Sequence, residues 1–126
     1  MNEQLLFTGG IFNLGFGIFH LFFWKLFDWK NDLASLSFIN RNVMQVLNLC
    51  LAFVFFVFAY ISVFHSSEML TTGLGSALIF AISIFWFLRA IEQIIFFTLR
   101  KPISWILFIL FLLGGASYGA LAIKFV

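Results

Sequence analysis

The segment FWFLRAIEQIIFF, residues 85–97, sets an arginine, a glutamate and a glutamine inside a run that is otherwise apolar. Arg89, Glu92 and Gln93 stand at i, i+3 and i+4, so a helix carries all three on one side and brings the guanidinium within reach of the carboxylate. Opposite charges so placed can pair with each other, respond to an ion, or hold the head of an amphipathic molecule. Arg89 precedes Arg100 by eleven residues. At about 1.5 Å of rise per residue that is about 16 Å, which sets Arg89 near the middle of a bilayer if Arg100 marks its edge. A charge at that depth is costly by at least about 2.5–3.5 kcal/mol, and intramembrane ionisable residues mark functional sites by default.

Other polar residues recur at helical spacing. Gly10, Asn13, Gly17 and His20 form one helical face, and Arg41, Gln45 and Asn48 form another. Three helices are therefore expected to send Asn13, His20, Arg41, Gln45, Asn48, Arg89, Glu92 and Gln93 into a single polar cluster. In that cluster Arg89 pairs with Glu92, and Gln93 faces His20, Gln45 and Asn48. Such a cluster is either a closed hydrogen-bonded network that fixes helix register or an open site for a ligand or an ion.

Several chemistries are excluded or left without residues. His65 ends the second helix at the outer surface and His20 lies near the inner side, so they cannot face one haem iron. No H-E-x-x-H spacing occurs, and the single cysteine, Cys50, allows neither an intramolecular disulfide nor a thiolate zinc site. No metal or cofactor is expected. Glu92 and His20 are titratable, but no nucleophile, metal set or phosphate-binding loop accompanies them, so the balance is against an enzyme. The seven basic residues are scattered, which gives no nucleic-acid patch despite a net charge of +2.

The elements that position these residues follow from composition. Of 126 residues 63% are hydrophobic and 10% charged, where a soluble domain has about 45–50% and about 25%. The chain is read as one integral membrane domain, residues 1–126, of all-α class. Four helices are expected at about 5–27, 41–65, 71–99 and 103–125, since about 20 helical residues cross a hydrocarbon core and backbone groups in lipid must be satisfied internally. Their short connections dictate an up-down-up-down four-helix bundle. Apolar Leu33, Leu36, Phe38 and Ile39 suit a short interfacial helix in the first connection. The opening MNEQLLFTGG has no basic n-region or cleavage signal, so the first apolar stretch is expected to stay as a helix.

Lys25, Lys30 and Arg41 in the first connection and Arg100 and Lys101 in the third place those connections in the cytoplasm and both termini outside, in a bacterial inner membrane. Trp24, Trp29 and Trp105 fit the same boundary. Gly115 and Gly119 in GASYG have the small-xxx-small spacing of close helix packing, within the bundle or in a homodimer.

The stretches GIFHLFFWKLFDW, INRNVMQVLN and FWFLRAIEQIIFF resemble small bacterial four-helix membrane proteins similar in layout to the DoxX-like group. The resemblance implies the fold and no particular activity. The chain departs from small multidrug-resistance transporters, whose first-helix carboxylate is replaced here by Asn13 and His20, and TTGLGSALIF does not match the fluoride-channel signature. The expected function is that of a binding or accessory protein whose intramembrane polar pocket takes a lipid- or quinone-like molecule, with membrane lipids as its surroundings. The alternatives are an oligomeric transporter or channel using Arg89 and Glu92, and a structural subunit bound to another membrane protein.

Overall fold

The apolar runs fold as helices whose ends are set by particular residues. In the computed structural model, which describes residues 1–125, α1 is Asn2–Leu21, followed by the single-turn helices α2 (Phe23–Leu26) and α3 (Trp29–Asp32) and a 3-10 turn at Leu33–Ser35. Asp28, in the left-handed region at φ 49°, reverses the chain between α2 and α3. The long α4 (Phe38–Phe64) starts where the Ser37 side chain accepts a hydrogen bond from the Asn40 amide. The six-residue α5 (Ser66–Thr71) lies in the second connection. Next, α6 (Gly73–Glu92) is capped by Thr72 and continues as a π-helix over Gln93–Phe97. Finally α7 (Pro102–Ala122) begins on Pro102, which gives up no needed donor in the first turn, and ends in a 3-10 turn at Ile123–Phe125.

Four stretches are long and apolar enough to cross a membrane: Asn2–Leu21, Phe38–Phe64, Gly73–Phe97 and Pro102–Phe125. They form an all-α bundle. The first span stops at Leu21, short of residue 27, because the chain turns into α2 and α3 and buries Trp29 and Leu33. Trp29 thus packs edge-on against Phe23 instead of facing the lipid boundary, while Trp24 and Trp105 remain exposed.

α1 packs along α4 and also touches α7; α7 packs along α6. Small residues permit these approaches. A Cβ on Gly10 would come within 2.6 Å of Val63 on α4, and one on Gly17 within 2.9 Å of Phe56. Gly115 packs against Phe87 of α6 and gives its carbonyl to Ser83, so the glycines of α7 work inside the bundle. α4 and α6 do not approach closely at the backbone and meet instead through Phe55, Phe58 and Phe85.

One aromatic residue from each long helix meets at the centre: Phe16 of α1, Phe55 of α4, Trp86 of α6 and Phe111 of α7. All four are buried. The Trp86 ring lies 5.0, 5.1 and 5.7 Å from those of Phe16, Phe55 and Phe111. This aromatic layer divides the bundle into a half toward the termini and a half toward the first and third connections, here called the basic end.

Candidate functional site

The polar residues do not gather in one cluster, because the aromatic layer separates them. On the termini side Asn13 is fully buried. Its amide donates to the Gly9 carbonyl at 2.8 Å and to the Tyr118 hydroxyl at 3.0 Å. Its oxygen accepts from the Trp86 indole N–H at 3.2 Å. The Tyr118 hydroxyl in turn shares a hydrogen with Ser62 Oγ at 2.7 Å. Four helices are stitched by this group, and each of its members has a partner. Asn13 therefore belongs with Trp86, Tyr118 and Ser62, not with His20.

On the basic side His20 and Asn48 clasp each other. His20 Nδ1 is 2.8 Å from Asn48 Oδ1, and Asn48 Nδ2 donates to the His20 carbonyl at 2.9 Å. The imidazole stacks on Phe23 at 4.1 Å and leans on Phe55 at 5.2 Å.

Arg89 does not pair with Glu92. The only ion pair among the described residues joins His65 to Glu68 in the second connection. The Arg89 guanidinium lies instead against two aromatic rings, 4.6 Å from the centre of Phe111 and 5.6 Å from that of Phe97, while Glu92 is exposed on the outside of the bundle. Facing a ring is a cation–π contact worth about 0.5–2 kcal/mol, and a ring quadrupole competes for the charge without offering a hydrogen-bond acceptor. Arg89 makes no hydrogen bond among the described residues, and its nitrogens are not sealed from outside.

Gln93 also differs from expectation. It faces α7, donating from Nε2 to Ser104 Oγ at 2.9 Å, and Ser104 passes its hydroxyl hydrogen to the Thr98 carbonyl. Its place on the helix is the local reason: Gln93 keeps helical dihedrals and stands seven residues beyond Trp86 on the buried face of α6, which meets the start of α7 there. Gln45 donates to the Arg41 carbonyl of its own helix at 3.2 Å and does not join the cluster. Arg41 reaches down to the Leu36 carbonyl at 3.3 Å and ties the first connection to α4, its Nε being buried without a partner.

His20, Asn48 and Arg89 are thus the members of the expected cluster that share the basic side of the aromatic layer near its centre. Their common level follows from the geometry. Phe16 and Trp86 touch across the core on α1 and α6, which run the same way, and His20 and Arg89 stand one turn further along each. Of the residues outside the expected cluster, Trp86 was masked by aromatic abundance, in a chain with 21 phenylalanines, and Tyr118 is polar but lies on a helix not expected to join the cluster. Ser62 and Ser104 are small enough to pass for packing residues.

Fold and site define a multi-spanning α-helical membrane protein with one saturated polar layer and one unsaturated one. No protein-family model, curated protein or solved structure matches the chain.

Proposed function

We propose that the chain is an integral membrane binding or accessory protein of the bacterial inner membrane, with both termini outside the cytoplasm, that takes an amphipathic molecule at its basic end. The polar head meets Arg89, with His20 and Asn48 beside it, and the apolar part lies along the phenylalanines between α4 and α6. The observation that carries this reading is Arg89: a guanidinium with five donors stands in a membrane-spanning helix without any carboxylate or other acceptor among the described residues. A charged group so placed requires an acceptor from elsewhere, and half-exposure of Arg89, His20 and Asn48 leaves the way open from the surrounding lipid. The loose backbone approach of α4 to α6 supports entry from that side. Transport through an Arg89–Glu92 pair has less support, since the two do not pair and the aromatic layer closes the bundle beyond them.

Native mass spectrometry of protein extracted in mild detergent tests the proposal. The wild type is expected to retain a lipid-sized adduct that Arg89→Ala releases and Lys101→Ala keeps. Bare wild-type protein, with no adduct acquired from added membrane lipid extract, refutes it.

A further inference from the structure

Glu92, the last residue of α6, stands five residues inside the end of its membrane-spanning stretch at Phe97. It is exposed on the outside of the bundle, and no ion pair among the described residues includes it. An acid near a helix end can escape the hydrocarbon when its side chain leans toward the nearer interface. Helical side chains lean toward their own N-terminus, and that of α6 lies across the bilayer at the termini side. The carboxylate is thus directed into the hydrocarbon, away from the basic end. Intramembrane acids almost always face a bundle interior or a partner. This one faces out, so its partner has to come from outside the chain.

The same side of α6 is patterned to receive a helix. Ala77, Ala81, Ile84, Leu88 and Ile91 are all exposed and alternate at spacings of four and three, as along a seam between two helices. Ala77 and Ala81 are small enough for close approach. At about 100° per residue, Glu92 stands about 60° to one side of the middle of this seam. A second copy does not answer it. Copies sharing one orientation in a membrane pair about a two-fold axis along its normal, so each flank of the seam meets the opposite flank of its partner. At the level of Glu92 that opposite flank carries Phe87 and Ile91, which have no side-chain donor. The other cations within the spans are engaged or distant: Arg41 reaches the Leu36 carbonyl, Arg89 lies on Phe111, and Lys124 donates to Asn2 at the far end. We infer that α6 is a docking face for a membrane-spanning helix of another protein, one that carries a lysine or arginine at the level of Glu92. Each charge alone is costly in hydrocarbon, and together they form a charge-assisted pair while the alanines bring the backbones close. This face does not depend on the reading of Arg89 as a binding site.

The test uses full-length protein in phosphatidylcholine liposomes and two synthetic leucine-alanine helices of about 20 residues, identical except for a lysine or a leucine at the depth of Glu92. Both helices lack tryptophan and carry a dansyl group that accepts energy from the tryptophans of the protein. The lysine helix is expected to associate at an about tenfold lower peptide-to-lipid ratio than the leucine helix. Glu92→Leu is expected to abolish that difference, and Ala81→Phe to weaken association of the lysine helix with the carboxylate still present. Both substitutions fall on the exposed side of α6, and an unchanged circular dichroism spectrum checks that the fold is kept. Equal association of the two helices with the wild type, or a preference that survives Glu92→Leu, overturns the inference. Self-association of the wild type that Glu92→Leu removes, measured by analytical ultracentrifugation, overturns it too, because a second copy then supplies the partner.

Discussion

Replacing Asn13 by leucine keeps the branched shape and the number of side-chain heavy atoms and deletes the polar centre of the closed layer. Two interhelical bonds disappear, from Trp86 at 3.2 Å and to Tyr118 at 3.0 Å. Interhelical hydrogen bonds in membranes average about 0.6 kcal/mol each, which gives about 1.2 kcal/mol for the pair. The indole N–H of Trp86, on a side chain with 0% exposure, is then left without an acceptor, which adds about 1–3 kcal/mol. The expected loss is about 2–4 kcal/mol. Tyr118→Phe is expected to cost less, about 1 kcal/mol, since Asn13 keeps its bond to the Gly9 carbonyl and Ser62 can turn to its own helix. A cycle with Trp86→Phe isolates the coupling: in that background no N–H remains to be orphaned, so Asn13→Leu is expected to cost about 1–2 kcal/mol less than in the wild type. Reversible unfolding in mixed micelles of mild detergent and sodium dodecyl sulfate, followed by near-UV circular dichroism, measures each corner. If the coupling lies within about 0.5 kcal/mol of zero, the limit of simple additivity, the layer is not a joined network.

Gly75→Ala places a Cβ 2.4 Å from the Cα and carbonyl oxygen of Met69, backbone atoms of α5 that cannot rotate aside, whereas Gly15→Ala meets nothing within 4 Å. The first is expected to lower the unfolding midpoint and the second to raise it, by about 0.5–1 kcal/mol of helix propensity; equal effects would contradict the packing of α5 on α6. Arg89→Leu removes an unpaired charge from the membrane interior and is expected to stabilise the empty protein by about 1–3 kcal/mol in the same assay while abolishing ligand retention. A destabilised variant would mean that the ring contacts outweigh the charge's cost. Wild-type protein in liposomes is expected to pass no protons or cations, because the aromatic layer spans the core; a flux lost in Glu92→Gln would refute the closed layer.

Sequence patterning revealed the fold well because lipid leaves few choices. A run of apolar residues too long for a core and closed by Ser37, Thr72 or Pro102 has to be a helix, and connections as short as RKP force neighbours antiparallel. The face from Gly10 through His20 was legible as inward-pointing for the same reason. Its partition was not. Spacing tells which side of α1 holds Asn13 and His20, but both groupings of them satisfy the same periodicity. What separates them is Phe16, a side chain indistinguishable in the sequence from those facing lipid. The Arg89–Glu92 pair failed on a similar point. Helical spacing licenses an i,i+3 contact without requiring it, and here the guanidinium turns inward to Phe111 while the carboxylate stays outside. Gln93 was misdirected by grouping it with Arg89 and Glu92, whereas it stands seven residues from Trp86 on the buried face that α6 turns to α7.

The contrast between the two layers makes the basic end the place where function is to be sought. Both layers use α6, through Trp86 and Arg89 three residues apart. On the termini side the donors and acceptors are matched: the indole N–H finds Asn13, the amide finds Tyr118 and Gly9, and the phenol finds Ser62. A chain able to satisfy four polar groups from four helices at one level had the means to do so at the next. On the basic side it leaves the donors of Arg89 and the second ring nitrogen of His20 open, and the one carboxylate near enough to quench the charge, Glu92, faces away. Register and packing are already secured by the closed layer and by the aromatic centre. The unsatisfied groups add nothing to either, and apart from the ring contacts of Arg89 no group among the described residues offsets their cost, which is why the proposed binding role is assigned to them.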